Sequence, residues 1–170
     1  MTALVFVDTN VLLYWRDRSE AAKHAMAGRW IDHLWRTRLG RTSVQVLNEY
    51  YVNLTRKPRF ALPESDVWEQ VRAFFAWEPQ RLDVELLRDA HGIERQHRLS
   101  WWDALIVAAA QAQECAVLLT EDLQDGATFG GVTVRNPFTT RVEEVRATYA
   151  AVPTALPGYR GRGRPRTRAA

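Results

Sequence analysis

Only one cysteine occurs in the 170 residues, and Cys115 sits in the apolar run CAVLL. A disulfide framework and a thiolate zinc cluster are therefore excluded. The few histidines, His24, His33, His91 and His97, share no ligand-like spacing, so no zinc site is predicted. No apolar run approaches the roughly 20 residues needed to cross a bilayer. The opening MTALVFVD has neither a basic n-region nor a small-residue cleavage site. The expectation is a cytoplasmic, reducing setting without a membrane partner. The segment DGATFGG lacks the G-K-[ST] ending of a phosphate loop, and no cofactor-binding loop is predicted. No repeat of solenoid period is present.

Acidic residues are missing from one segment altogether. Residues 157–170, PGYRGRGRPRTRAA, carry five arginines and no acid, so the chain's net charge of +3 becomes −2 for the remainder. The division expected is a folded domain over 1–156 and a basic, disordered tail over 157–170. A tail of this kind binds polyanions without reading sequence. Its Arg162, Gly163, Arg164 and Pro165 are also similar to the core of an AT-hook, which lies in narrow minor grooves. With 46% hydrophobic and 25% charged residues, the chain has the composition of one globular domain.

What is present alternates between short strands and long helices. Leu4–Val7 reads as a buried strand, and apolar residues after Asn10 fit a helix. A second helix is predicted over 19–38 with Gly40 as its stop, and a third carries Val44, Leu47, Tyr51 and Leu54 at intervals of three and four. Pro63 suits the first turn of a helix through Val67, Val71 and Phe74. Asp83–Arg98 and Trp101–Glu114 continue the helical pattern, followed by strands at Ala116–Leu119 and Val132–Arg135. The pattern predicts an α/β protein: a three-layer α/β/α sandwich around a short, mostly parallel sheet.

Four carboxylates stand beside elements that should be core. Asp8 ends the first strand, Glu49 lies mid-helix among aromatics, Asp103 opens the apolar helix WWDALIVAAA, and Asp122 follows the strand AVLLT. Each also has a structural use. Asp8 can cap a helix, Ser100 and Asp103 form an [ST]-x-x-[DE] capping box, Glu49 can point outward, and TEDLQDG can be a turn. Taken together, two strand-end acids and one at a buried helix start are what a metal site at the carboxyl edge of a parallel sheet requires. Gathered acids repel one another unless a cation sits among them, and oxygen ligands of this hardness suit Mg²⁺ or Mn²⁺.

VFVDTNVLLY, the NEYY helix, LSWWDALIVAAA and LLTEDLQDG with GVTVRNPF, in that order, resemble the PIN-domain ribonucleases, specifically the VapC-type toxins of toxin–antitoxin pairs. The resemblance runs from about Leu4 to Phe138. It implies catalytic acids at Asp8, Glu49, Asp103 and Asp122, with Asp8, Asp103 and Asp122 as metal ligands. It places polar helpers at Thr9 or Asn10 and at Thr120. Glu121 and Asp125 flank Asp122 and are alternatives for the last acid. The implied activity is Mg²⁺-dependent endoribonuclease cleavage leaving 5′-phosphate and 3′-hydroxyl ends. The implied partners are RNA, an antitoxin protein and a second copy in a homodimer. Rival readings are a Mg²⁺-dependent DNA nuclease or phosphatase, and a nonenzymatic RNA-binding protein with a vestigial pocket.

Arg16, Arg56, Lys57, Arg59 and Arg98 are the cations expected to grip substrate. Trp101 and Trp102 are expected to offer stacking faces to a base. Trp30, Trp35, Trp68 and Trp77 are expected to serve core or partner contact, and the helices bearing Trp30, Trp35, Tyr50 and Tyr51 to be partly covered by a second copy or an antitoxin.

Overall fold

The computed structural model describes residues 3–60 and 62–150, and the basic tail predicted over 157–170 lies outside them. Elements follow the order β1 (Val5–Val7), α1 (Thr9–Arg16), α2 (Ala21–Thr37), β2 (Gly40–Arg41), α3 (Val44–Arg56), α4 (Glu64–Ala73), a 3-10 turn (Phe74–Trp77), α5 (Val84–His97), α6 (Trp101–Ala112), β3 (Val117–Leu119), β4 (Thr128–Phe129), β5 (Val132–Arg135) and α7 (Val142–Ala150). The five strands form one sheet in the order β2-β1-β3-β5-β4, parallel except for the β4–β5 pair. This is the predicted α/β class.

Successive strand residues point to opposite faces, yet Val5, Phe6 and Val7 are all buried, as are Val117, Leu118 and Leu119. Both faces of the sheet are therefore covered by helices, as a parallel sheet requires. On the chain's way out of β1 it crosses to β2 on one side, while β3 pairs on the other. The carboxyl ends of β1 and β3 thus flank the point where strand order reverses, the crevice in which such sheets hold ligands.

Caps position the helices. Asp8 accepts from Thr9 N at the start of α1, Ser43 from Val46 N at α3, Asp83 from Leu86 N at α5 and Ser100 from Asp103 N at α6. One expectation shifts: helix α2 ends at Thr37, beside the predicted Arg38, but Arg38 in the left-handed region ends it and not Gly40. Gly40 instead begins β2, where the Trp77 ring stands so near that a Cβ would lie 2.6 Å from it. The short strands β2 and β4 and the helix α7 gave no run long enough to be predicted from pattern.

Of the two uses expected for these aromatics, core contact is the one observed. Trp30 and Tyr50 are buried, and Trp35 packs against Phe74 and Trp77. These side chains fill the core rather than an outer surface, because α2 and α3 both turn their aromatic faces toward the helices packed on them. Tyr51 is half-buried and donates its hydroxyl to Glu64. The large apolar groups left outside include Val44, Val52, Trp68, Phe75, Leu82 and Trp102.

Candidate metal centre at the carboxyl edge of the sheet

The register pairs Val7 with Leu119, so the residues that follow, Asp8 and Thr120, leave the sheet side by side. Asp8 N donates to Leu119 O at 3.1 Å, and Thr120 Oγ1 donates to Asp8 Oδ2 at 2.8 Å. The carboxylate is only 8% exposed. Burial pushes its pKa from the ordinary 3.8 up to about 7, opposed by the Thr120 and Thr9 hydrogen bonds and reinforced by the charges of Asp122 and Glu49. Asp8 thus caps α1 and faces the other acids as well. The capping use read from sequence is observed.

Asn10 joins two of the acids. Its Nδ2 lies 3.2 Å from Asp8 Oδ2, 2.9 Å from Asp122 Oδ2 and 3.0 Å from Thr120 Oγ1. Thr9 Oγ1 donates to Glu49 Oε2 at 2.8 Å, and Gln45 Nε2 donates to Glu49 Oε1 at 3.0 Å. Helix α3 therefore turns Glu49 toward α1 instead of outward. Thr9, Asn10 and Thr120 hold carboxylates by these contacts. Gln45 was not singled out from sequence, although its place four residues before Glu49 on one helix face was a usable signal.

The three alternatives for the last acid have different surroundings. Glu121 turns away to Lys23, with Nζ to Oε2 at 2.5 Å. Asp125 accepts from Asn136 N at 2.8 Å and lies 3.7 Å from Arg135. Asp122 alone of these shares Asn10 with Asp8. Asp103 stands apart from this hydrogen-bonded group: Ser100 Oγ donates to its Oδ2 at 2.7 Å in the capping box. Its neighbour Trp102, 62% exposed, nevertheless lines a cavity of about 620 Å³ with Glu49 and Gln45. Trp101 is half-buried against the core.

Among the described residues no Lys or Arg pairs with Asp8, Glu49, Asp103 or Asp122. Nor do three acidic, histidine or cysteine side chains there stand at distances that would hold a metal. The carboxylates are instead engaged by Thr, Asn, Gln and Ser donors. Two protons on Asn10 Nδ2 face three oxygens, so the Asp8–Asp122 pair has more acceptors than donors. The donor chemistry, all oxygen with no protein cation beside it, is the kind a hard divalent ion takes, although the side chains do not stand gathered on one point.

The PIN domain family matches residues 5–124 of the chain. The chain belongs to the PIN domain family. Similar solved structures have the same fold at low identity. A toxin-antitoxin complex from Klebsiella pneumoniae superposes with a TM-score of 0.56 at 17% identity, over 78% of this chain and 97% of that one. VapC20 of Mycobacterium tuberculosis, a Sarcin-Ricin loop cleaving toxin, gives 0.52 at 19% identity, over 67% and 86%. VapBC2 from Rickettsia felis, bound to a DNA fragment from its promoter, gives 0.52 at 13%, over 78% and 98%. No curated protein matches the sequence. Within this PIN domain, β1, β3 and the acids at their ends fall inside the matched span, and β4, β5 and α7 follow it.

Proposed function

We propose that this PIN domain is a Mg²⁺- or Mn²⁺-dependent endoribonuclease, the toxin of a toxin–antitoxin pair. The observation that carries the reading is Asp8: a buried carboxylate at the carboxyl end of β1, with Glu49 and Asp122 close enough to raise its pKa and no protein cation beside it. The similar folds found in proteins of toxin-antitoxin complexes and in a toxin from three bacteria support the toxin part of the reading.

In this reading Asp8 and Asp122 would hold the ion, and Asp103 would join them as a third ligand only by turning out of its capping-box contact with Ser100. A divalent ion there would supply acidification of water and screening of the phosphate and of the departing oxygen. Thr120 and Asn10 fix the Asp8 and Asp122 rotamers, which sets where ligand oxygens point. Glu49, held by Thr9 and Gln45, is the acid left to take a proton from water. Trp102 offers an exposed ring on the cavity wall beside Glu49 for a base to stack on. The antitoxin and a second copy of the chain are the proposed occupants of the exposed apolar groups on α3, α4 and the 3-10 turn, notably Val44, Trp68 and Phe75. These replace the buried Trp30 and Tyr50 in that role.

Incubation with RNA and with DNA of the same sequence, each with Mg²⁺ and with EDTA, tests the proposal. RNA fragments with 5′-phosphate ends, formed only with metal, are expected. Equal cleavage of DNA would favour the DNA-nuclease reading, and binding without cleavage the nonenzymatic one.

A sharper result is expected at the last acid. Asp122→Ala should slow RNA cleavage more than about tenfold, since even groups that only orient metal ligands typically contribute 10–100-fold. Glu121→Ala loses only a partly exposed ion pair with Lys23, worth about 0–1 kcal/mol, and should retain most activity. Equal losses in the two variants would reassign the ligand.

A further inference from the structure

Away from the acidic group, α2 and α7 enclose a cavity of about 630 Å³. Arg29 and Arg36 of α2 and Arg141 and Arg146 at α7 line it, against only two acids, Asp32 and Glu143. Among the described residues none of the four guanidinium groups pairs with a carboxylate. The remaining residues, 1–2, 61 and 151–170, contain no Asp or Glu to neutralise them. Arg36 is oriented by its Nε, which donates to Asp32 O at 3.2 Å and leaves both Nη groups free of that contact. The His33 imidazole on the same wall is held below its ordinary value by burial and by the positive charges of Arg146 and Arg36. Such a field lies on a body whose net charge is −2, so it is a local concentration and not a general basicity.

A chain of contacts runs from the cavity to Glu121, the sequence neighbour of Asp122. Phe138 lines it and packs edge-on against Tyr14 at 5.1 Å. Lys23 lies 4.2 Å from the Tyr14 ring and 5.1 Å from the Phe138 ring, and its ammonium pairs with Glu121, the residue before Asp122. Of the cations expected from sequence, Arg59 is paired with the buried Asp17 and Arg16 lies over Trp15, while Arg56, Lys57 and Arg98 have no carboxylate partner among the described residues. Arginine forks match phosphate oxygens two at a time, and four of them around one cavity suit a strand carrying successive phosphates.

We propose that the α2–α7 cavity binds backbone phosphates of the single RNA strand whose scissile bond lies at the acidic site. This rests on the nuclease reading. It adds a second grip on the strand, partly outside the span that the PIN family matches.

The test is binding of a short fluorescein-labelled single-stranded RNA to the full chain, by anisotropy in EDTA over a range of salt. In the double variant Arg36→Gln/Arg146→Gln, loss of two phosphate contacts should lower the slope of log K against log salt by about 1.4 and weaken low-salt binding by roughly tenfold. Arg36→Lys/Arg146→Lys should recover most of the slope, because lysine still neutralises a phosphate as a point charge. Arg72→Gln/Arg88→Gln removes the same charge from exposed arginines already paired with Glu69 and Glu85, and should leave the slope near wild type. The four arginines of the cavity are exposed, so their substitution should leave the melting temperature in place. An unchanged slope in Arg36→Gln/Arg146→Gln, or an equal fall in Arg72→Gln/Arg88→Gln, would overturn the proposal while wild-type RNA binding upheld the broader reading. Adenosine monophosphate binding that is lost in the variants while RNA binding is kept would likewise overturn it, in favour of a free phosphate. Wild-type protein that fails to bind RNA would instead remove the nuclease reading itself.

Discussion

Asp8→Asn is expected to abolish metal-dependent RNA cleavage and at the same time to stabilise the metal-free protein above neutral pH. Loss of a ligand should reduce the rate by more than about 100-fold, since groups one step further from a metal already contribute 10–100-fold. The stability effect follows from the raised pKa. In the folded protein Asp8 titrates at about 7, against 3.8 as its ordinary value, because burial and the neighbouring Asp122 and Glu49 disfavour the charged form. The folded state therefore binds this proton more tightly than the unfolded one. The resulting stabilisation is fully present below pH 4 and is lost as pH rises through about 7, at a cost on the order of 4 kcal/mol for this buried group. Asparagine carries no charge and should flatten that dependence. Thermal melts in EDTA from pH 4 to 8 measure it. Mg²⁺ should raise the melting temperature of wild type at pH 8 much more than that of the variant, because metal binding favours the ionised ligand. A variant that still cleaves, or a wild type whose stability does not fall between pH 4 and 8, would separate Asp8 from the role given to it.

The second large effect falls on the sheet that carries the site. Gly40→Ala would place a Cβ 2.6–2.7 Å from three atoms of the Trp77 ring. That ring is 2% exposed and packed against Phe74 and Trp35, so it has little room to move. Either β2 or the 3-10 turn must shift, and overpacking of this kind costs about 1–3 kcal/mol. A fall of several degrees in melting temperature is expected, at roughly 2–4 °C per kcal/mol for a domain of this size. The strain should also reach the acids, because β2 pairs with β1 and runs into Ser43, the cap of the helix that bears Glu49. Gly92→Ala is the control. Gly92 lies within α5 with nothing near its missing Cβ, and alanine there should stabilise by about 0.5–1 kcal/mol. Melting curves showing equal changes at the two glycines would contradict this account of Gly40.

The α/β class, the buried strands Val5–Val7 and Val117–Leu119, and the helices carrying Glu49 and Asp103 were legible in the sequence because each shows in a local pattern. Apolar runs of three or four residues mark buried parallel strands, and Ser43 and Ser100 mark helix starts. The acids at strand ends could be named because strand polarity alone says which end of a parallel sheet is open. Tertiary structure decided what local pattern does not contain. The strand order β2-β1-β3 brings Asp8 within reach of Thr120 across 112 residues of chain, and the packing of α3 turns Glu49 onto Thr9. Periodicity marks Trp30 and Tyr50 as members of a helix face but not what covers that face, and here the cover is the chain's own core. Gly40 is a helix stop by composition and a contact point for Trp77 by packing, since a missing side chain has no pattern of its own. The arginine-lined cavity belongs to the same class: Arg29 and Arg36 lie about a hundred residues from Arg141 and Arg146 in sequence, and only the meeting of α2 with α7 gives their charges a common site.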